Sequence, residues 1–153
     1  MAAKSDELVI TRVFAAPRRR VFEAWVDPVD AARWWGPQGF TTIACEMDVR
    51  PGGAWLRRLR SPTGAEVSLT GIYREIVAPE RLVFTMAIDD PESGRHPETV
   101  VTVTFAERDG KTELTLRETG FRTVETRDSH VNGWAGCLER FADHLADTAT
   151  AAR

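Results

Sequence analysis

The chain has 153 residues, 42% of them apolar and 28% charged, with a formal net charge of -3. That length suits one core, and that composition excludes disorder for all but the two ends. The mild acidity gives no basic field, so composition supports no nucleic-acid partner and no attraction to an anionic membrane.

Met1 to Asp6 are small or charged and lack an apolar signal core. No apolar run approaches the length that spans a bilayer, so membrane insertion is not expected. Cys45 and Cys137 match no metal-ligand spacing and read as buried free thiols of a reducing compartment. The expectation is a cytoplasmic protein with one domain over 1–153, its core over about 8–146.

Leu8 to Phe14 sets Leu8 and Ile10 against Val9, Thr11 and Val13, which predicts a first strand. Pro17 suits a helix start, and Arg18 to Val26 carries Val21, Phe22, Trp25 and Val26 at helical spacing. Asp27-Pro28 is an N-cap followed by a first-turn proline, and that second short helix ends near Gly36-Pro37.

The period then changes to two. Thr42 to Val49 places Ile43, Cys45, Met47 and Val49 on one side. Pro51-Gly52-Gly53 turns the chain, Ala54 to Arg60 is a strand, and Ser61 to Gly64 is a hairpin loop. Glu66 to Val77 is a longer strand whose alternation slips, which predicts a bulge or bend at Gly71. Arg81 to Ile88 follows, with Leu82, Phe84, Met86 and Ile88 on one face. Asp89 to Pro97 reads as a polar loop. Glu98 to Phe105 and Lys111 to Thr119 are strands joined by an Asp109-Gly110 turn. From about Thr126 to Ala146 the helical period returns, with Val131, Trp134, Leu138, Phe141 and Leu145 inward and Glu139, Arg140, Asp143 and His144 outward.

The predicted fold class is α+β. A curved antiparallel sheet of six to seven strands wraps a long C-terminal helix, with two short helices after the first strand. One helix is narrower than such a sheet, so a cavity between them is expected.

Several motifs in this order carry a family resemblance. They are Arg33-Trp34-Trp35-Gly36-Pro37, Pro51-Gly52-Gly53-Ala54-Trp55, Gly71, Pro79-Glu80-Arg81-Leu82 and Gly133-Trp134. Together they resemble bacterial proteins similar to the C-terminal domain of the Hsp90 ATPase activator. That family sits in the START-like helix-grip superfamily, with lipid-transfer domains, a birch pollen allergen and polyketide cyclases. The resemblance covers Leu8 to Leu145 and implies a helix-grip fold with an apolar ligand cavity. The activator itself works with an N-terminal domain for which this chain has no room, so a chaperone partner does not carry over with the name. A shared fold does not select one activity.

The expected cavity lining is Trp34, Trp55, Arg57, Leu69, Tyr73, Phe84, Met86, Val101, Val103, Trp134, Leu138 and Phe141. Indoles would grip a ring or chain by area and stacking, or would simply fill the core, and Trp35 reads as packing. Arg57 shares parity with Trp55 and Leu59, so it would point inward. There it would meet a ligand carboxylate or phosphate, snorkel at the mouth, or pair with Glu46 or Glu75. His96, His130 and His144 look scattered, without a carboxylate or second histidine at ligand spacing, so no metal site is expected. No catalytic residue or cofactor is indicated by any nucleophile elbow, phosphate loop or redox pair. The expected function is binding of a small apolar or amphipathic molecule. The alternatives are a cyclase- or hydrolase-type enzyme using the same cavity, or a chaperone-ATPase regulator acting through its surface. A homodimer through the outer sheet face or an edge strand is compatible with the sequence and demanded by nothing in it.

Overall fold

The computed structural model describes residues 6–151, so residues 1–5 of the segment read above as lacking a signal core lie outside the described residues. In chain order the elements are β1 (Glu7–Phe14), α1 (Arg18–Val26), α2 (Pro28–Trp34), β2 (Thr41–Met47), β3 (Ala54–Arg60), β4 (Glu66–Val77), β5 (Arg81–Asp90), β6 (Gly94–Arg108), β7 (Lys111–Thr119) and α3 (Val124–Ala151). The strands form one antiparallel seven-stranded sheet in the order β1-β7-β6-β5-β4-β3-β2. Hairpins make β2 to β7 a meander, while α1 and α2 carry the chain from one edge of the sheet to the other.

Local chemistry explains the breaks. Asp27 Oδ1 accepts from the Val29 and Asp30 amides at 2.8 and 3.3 Å, and Pro28 opens α2 where its missing amide hydrogen costs nothing. Val21, Phe22 and Trp25 of α1, Trp34 of α2 and Leu138, Phe141 and Leu145 of α3 share one core with the inward faces of the strands. Each such side chain contributes roughly 1.5–3 kcal/mol of burial. Among the described residues no helix is long and apolar enough to cross a membrane.

Four expectations are corrected. The alternation of β4 slips between Tyr73 and Glu75, not at Gly71. Gly71 instead marks a close approach: a Cβ there would overlap the Thr85 carbonyl oxygen and press on Trp55 Nε1. A register shift between Thr42 and Ala44 turns Ile43 outward, leaving it 38% exposed. The expected loop from Asp89 to Pro97 is mostly strand, because Asp90 accepts from the Glu92 amide and Ser93 hydroxyl and Gly94 takes φ of 95°, closing a tight turn. Pro97 is tolerated because it falls at the register shift opposite Ala87 and before β6 pairs with β7. On α3, Val131 is exposed and His144 is buried, the reverse of the expected faces. Periodicity tolerates position 130 or 131 as the first inward residue, and the sheet selects His130 because Glu118 offers it a hydrogen bond.

Candidate functional site

The interface between sheet and helices has a filled end and an open end. At the filled end Trp25 is the hub, with ring centroids 4.8 Å from Trp34, 5.5 Å from Trp35 and 5.9 Å from Phe141. Trp34 Nε1 donates to the Ala24 carbonyl at 2.9 Å, and its ring lies 4.4 Å from Phe141. Trp34, Val101, Val103, Leu138 and Phe141, all expected at the cavity, are fully buried here in close packing.

Arg57 stands beside this aromatic group, 1% exposed. Its guanidinium carbon lies 4.0 Å from the Trp35 ring centroid and 4.8 Å from that of Trp55. Nη2 reaches Met47 Sδ at 3.4 Å, while Nε and Nη1 have no hydrogen-bond partner among the described residues. Neither Glu46 nor Glu75 pairs with it; Glu75 bonds Arg81 instead. Burial therefore pulls the Arg57 pKa below its ordinary value, opposed chiefly by Tyr73, whose own hydroxyl burial pushes upward. Trp55, Tyr73 and Phe84 wall this compartment with Trp25, Trp35 and Leu82, and it holds no room for a water.

Beyond Trp35 the interface opens. A space of about 150 Å³ remains between β3, β4, β5 and α3, lined by Trp35, Phe40, Leu59, Val67, Leu69, Met86, Ile88, Gly133, Trp134 and Cys137. Of the expected lining, Leu69, Met86 and Trp134 are here; Trp35, read as packing, is its dividing wall. Burial pushes the Cys137 thiol up to about 12, so Cys137 serves as a neutral wall rather than a nucleophile. Cys45 is half-buried and not fully enclosed as expected, and both thiols are free. Larger depressions of about 450 and 400 Å³ lie on the outer surface, beside Arg140 and His144 and on the outer face of the sheet around Gly71.

One end of the interior space is polar, and here the structure joins residues that the sequence left apart. Glu118 of β7 is 0% exposed, and its oxygens accept from Trp134 Nε1 at 2.9 Å, Thr99 Oγ1 at 2.6 Å and His130 Nδ1 at 3.0 Å. His130 Nε2 lies 2.9 Å from His96 Nδ1, the two rings stacked, and His96 Nε2 lies 2.9 Å from Ser93 Oγ. Histidines that are scattered in the sequence are thus brought together by the fold, His96 to His130 and His130 to Glu118. The signal for this network is Glu118 itself, a carboxylate at the inward parity of Leu114 and Leu116. Burial first, and then His130, hold His96 below its usual pKa, against the pull of Asp90 and Glu118. Among the described residues no three His, Cys, Asp or Glu side chains are placed to hold a metal ion.

A curved antiparallel sheet, two short helices and a long helix over an interior space define the helix-grip class. The family model for Activator of Hsp90 ATPase homolog 1-like protein matches residues 15–146, and the chain belongs to that family. Among solved structures it is similar to protein CV1439 from Chromobacterium violaceum, with 28% identity, a TM-score of 0.79, and coverage of 92% of this chain and 96% of that one. It is also similar to the AHSA1 protein SPO3351 from Silicibacter pomeroyi, at 25% identity and TM-score 0.79, covering 92% of this chain and 97% of that one. Protein NE0264 from Nitrosomonas europaea shares the fold at 19% identity, with a TM-score of 0.82 over 97% of this chain and 99% of that one. No curated protein matches the chain significantly.

Proposed function

We propose that this chain binds a small apolar or amphipathic molecule, about one aromatic ring in size, between the sheet and α3. The observation that supports the reading is the unfilled space of about 150 Å³ in an otherwise close-packed interior. A space of about that size, apolar over most of its lining, has the volume for one ring such as benzene. Leu69, Met86 and Trp134 are the direct contacts, and Trp55, Arg57, Tyr73 and Phe84 stand behind the Trp35 wall. A ligand carboxylate would reach the free Nε and Nη1 of Arg57 by displacing that indole. The free thiols Cys45 and Cys137 are in keeping with a cytoplasmic setting. An enzymatic use of the same cavity, of cyclase or hydrolase type, is the second reading, favoured by the buried Glu118–His130–His96 network.

Gly133 gives a direct test. It lines the space, and a Cβ built there meets nothing within 4 Å. Gly133→Leu should fill the cavity while gaining roughly 1 kcal/mol of helix propensity. Toluene should quench the tryptophan fluorescence of the natural chain, and the variant should lose that response without losing thermal stability. Equal binding by both chains would sink the reading.

A further inference from the structure

We propose that the Trp35 indole stands in the place of a ligand ring, and that the ligand is an aromatic monocarboxylate whose charge pairs with Arg57. This rests on the binding reading and narrows it from any small apolar or amphipathic molecule to an acid.

The guanidinium is the reason. Arg57 is 1% exposed, and its Nε and Nη1 meet no acceptor among the described residues. Nη2 donates to Met47 Sδ, a weak acceptor. The groups that favour the charged form are Tyr73 first, then Cys45 and Cys137, with no aspartate or glutamate among them. A buried cation without a counter-ion is costly, and the indole faces of Trp35 and Trp55 offset only part of that cost. Water cannot supply the rest, because the compartment has no room for one.

Trp35 is the wall that can turn. The Trp34 indole is fixed to the Ala24 carbonyl and the Trp134 indole to Glu118, each at 2.9 Å, whereas the hydrogen bonds of Trp35 are made by its backbone. That backbone is held in place. The Trp35 amide donates to the Ala31 carbonyl at 3.1 Å, and Arg140 Nη1 donates to the carbonyls of Trp35, Gly36 and Pro37 at 3.3, 3.1 and 3.1 Å. The indole lines both the solid compartment and the open space, and the open space has room for a ring. An indole turned into that space vacates a box walled by Trp25, Trp55, Phe84 and Trp134, whose ring centroids stand 5.5, 6.0, 6.1 and 5.5 Å from its own. The Arg57 guanidinium carbon lies 4.0 Å from the centre of the vacated place.

Aromatic walls suit a flat ring, and the unpaired charge selects what that ring carries. A neutral amide or ether accepts a hydrogen but leaves the cation uncompensated. A phosphate monoester carries nearly two charges at neutral pH and would leave the box negative. A carboxylate brings one charge to one cation and fits a guanidinium by geometry.

Benzoate, its neutral isostere benzamide, and toluene separate the claims, with binding followed by calorimetry. Benzoate and benzamide must displace the same indole, so the ratio of their affinities reads the charge alone. Benzoate should bind about tenfold tighter, the low end for a hydrogen bond to a charged group, and should move the Trp35 indole nitrogen resonance. Arg57→Met should bring the ratio to about one. In urea that variant should be at least as stable as the natural chain, since no carboxylate of the described residues pairs with Arg57. A large loss of stability would show that the guanidinium is satisfied within the protein and would overturn the inference. If benzoate binds no tighter than benzamide, or leaves the Trp35 resonance still, the acid inference is likewise overturned, and toluene binding keeps the cavity reading. If none of the three binds, both fall.

Discussion

Two histidine–carboxylate pairs hang from the same face of α3, about four turns apart. His144 Nε2 meets Asp30 Oδ1 at 2.6 Å, and Asp30 also takes two Arg20 nitrogens at 2.9 and 3.0 Å. Arg20 goes on to Thr148 at 3.1 Å, so one cation, one carboxylate and one imidazole tie α1, α2 and α3 together. His130 meets Glu118 with no cation nearby in its hydrogen bonds, only Thr99, Trp134 and a second imidazole that leads toward the cavity. The same two residue types make a clamp in one place and an open-ended run in the other. What decides is the third partner. A cation meets the carboxylate at Asp30, whereas Glu118 is met by neutral donors and by a run of two imidazoles that ends at Ser93.

Substitutions can break this contrast, starting with the largest effect. Glu118→Gln puts an amide NH2 where two donors already converge, or against Trp134 Nε1, so at least one buried donor loses its acceptor. A loss of about 2–3 kcal/mol is expected in urea unfolding. A variant as stable as the natural chain would show that the buried network is not locked as described.

Asp30→Asn should cost less, about 1 kcal/mol, because the clamp is partly solvated. Its pH dependence has a definite sign. The hydrogen bond from Arg20, aided by His144, holds the Asp30 carboxyl below the usual carboxylate range. Its contribution is therefore fully present above the unfolded pKa and fades as pH falls through the folded one. The stability gap between natural chain and variant should close in acid; a gap of constant size would refute a charge-based clamp.

The smallest effect is expected for Arg20→Gln, about 0.5 kcal/mol, since the Arg20 side chain is 28% exposed and water replaces part of what is lost. Carbon-detected titration should still find the Asp30 carboxyl moved up toward its ordinary value. An unmoved carboxyl would assign its low pKa to His144 instead.

Much of the fold was legible in the residues because it is governed by period and punctuation. The Asp27-Pro28 start of α2, the strands Ala54–Arg60, Glu66–Val77 and Lys111–Thr119, and the terminal helix all follow from local pattern. Bulges were less legible. Tyr73 to Glu75 and Thr42 to Ala44 slip register because neighbouring strands require it, and no residue at either place announces the slip. The site was legible in part. Parity correctly turned Arg57 inward, but it could not say that Trp35 would lie between Arg57 and the open space. His96 and Glu118 are far apart in sequence, and only the pairing of β6 with β7 under the start of α3 brings them to His130.

Composition, period and turn residues by themselves determined an α+β chain with a curved sheet, two short helices and an amphipathic closing helix. They act through backbone geometry and burial, which each residue feels locally. Tertiary structure alone decided where the interior is solid and where it is hollow, and which histidine meets which carboxylate. Those outcomes depend on the volumes and hydrogen-bonding groups of side chains that meet only after the sheet has curled around the helix.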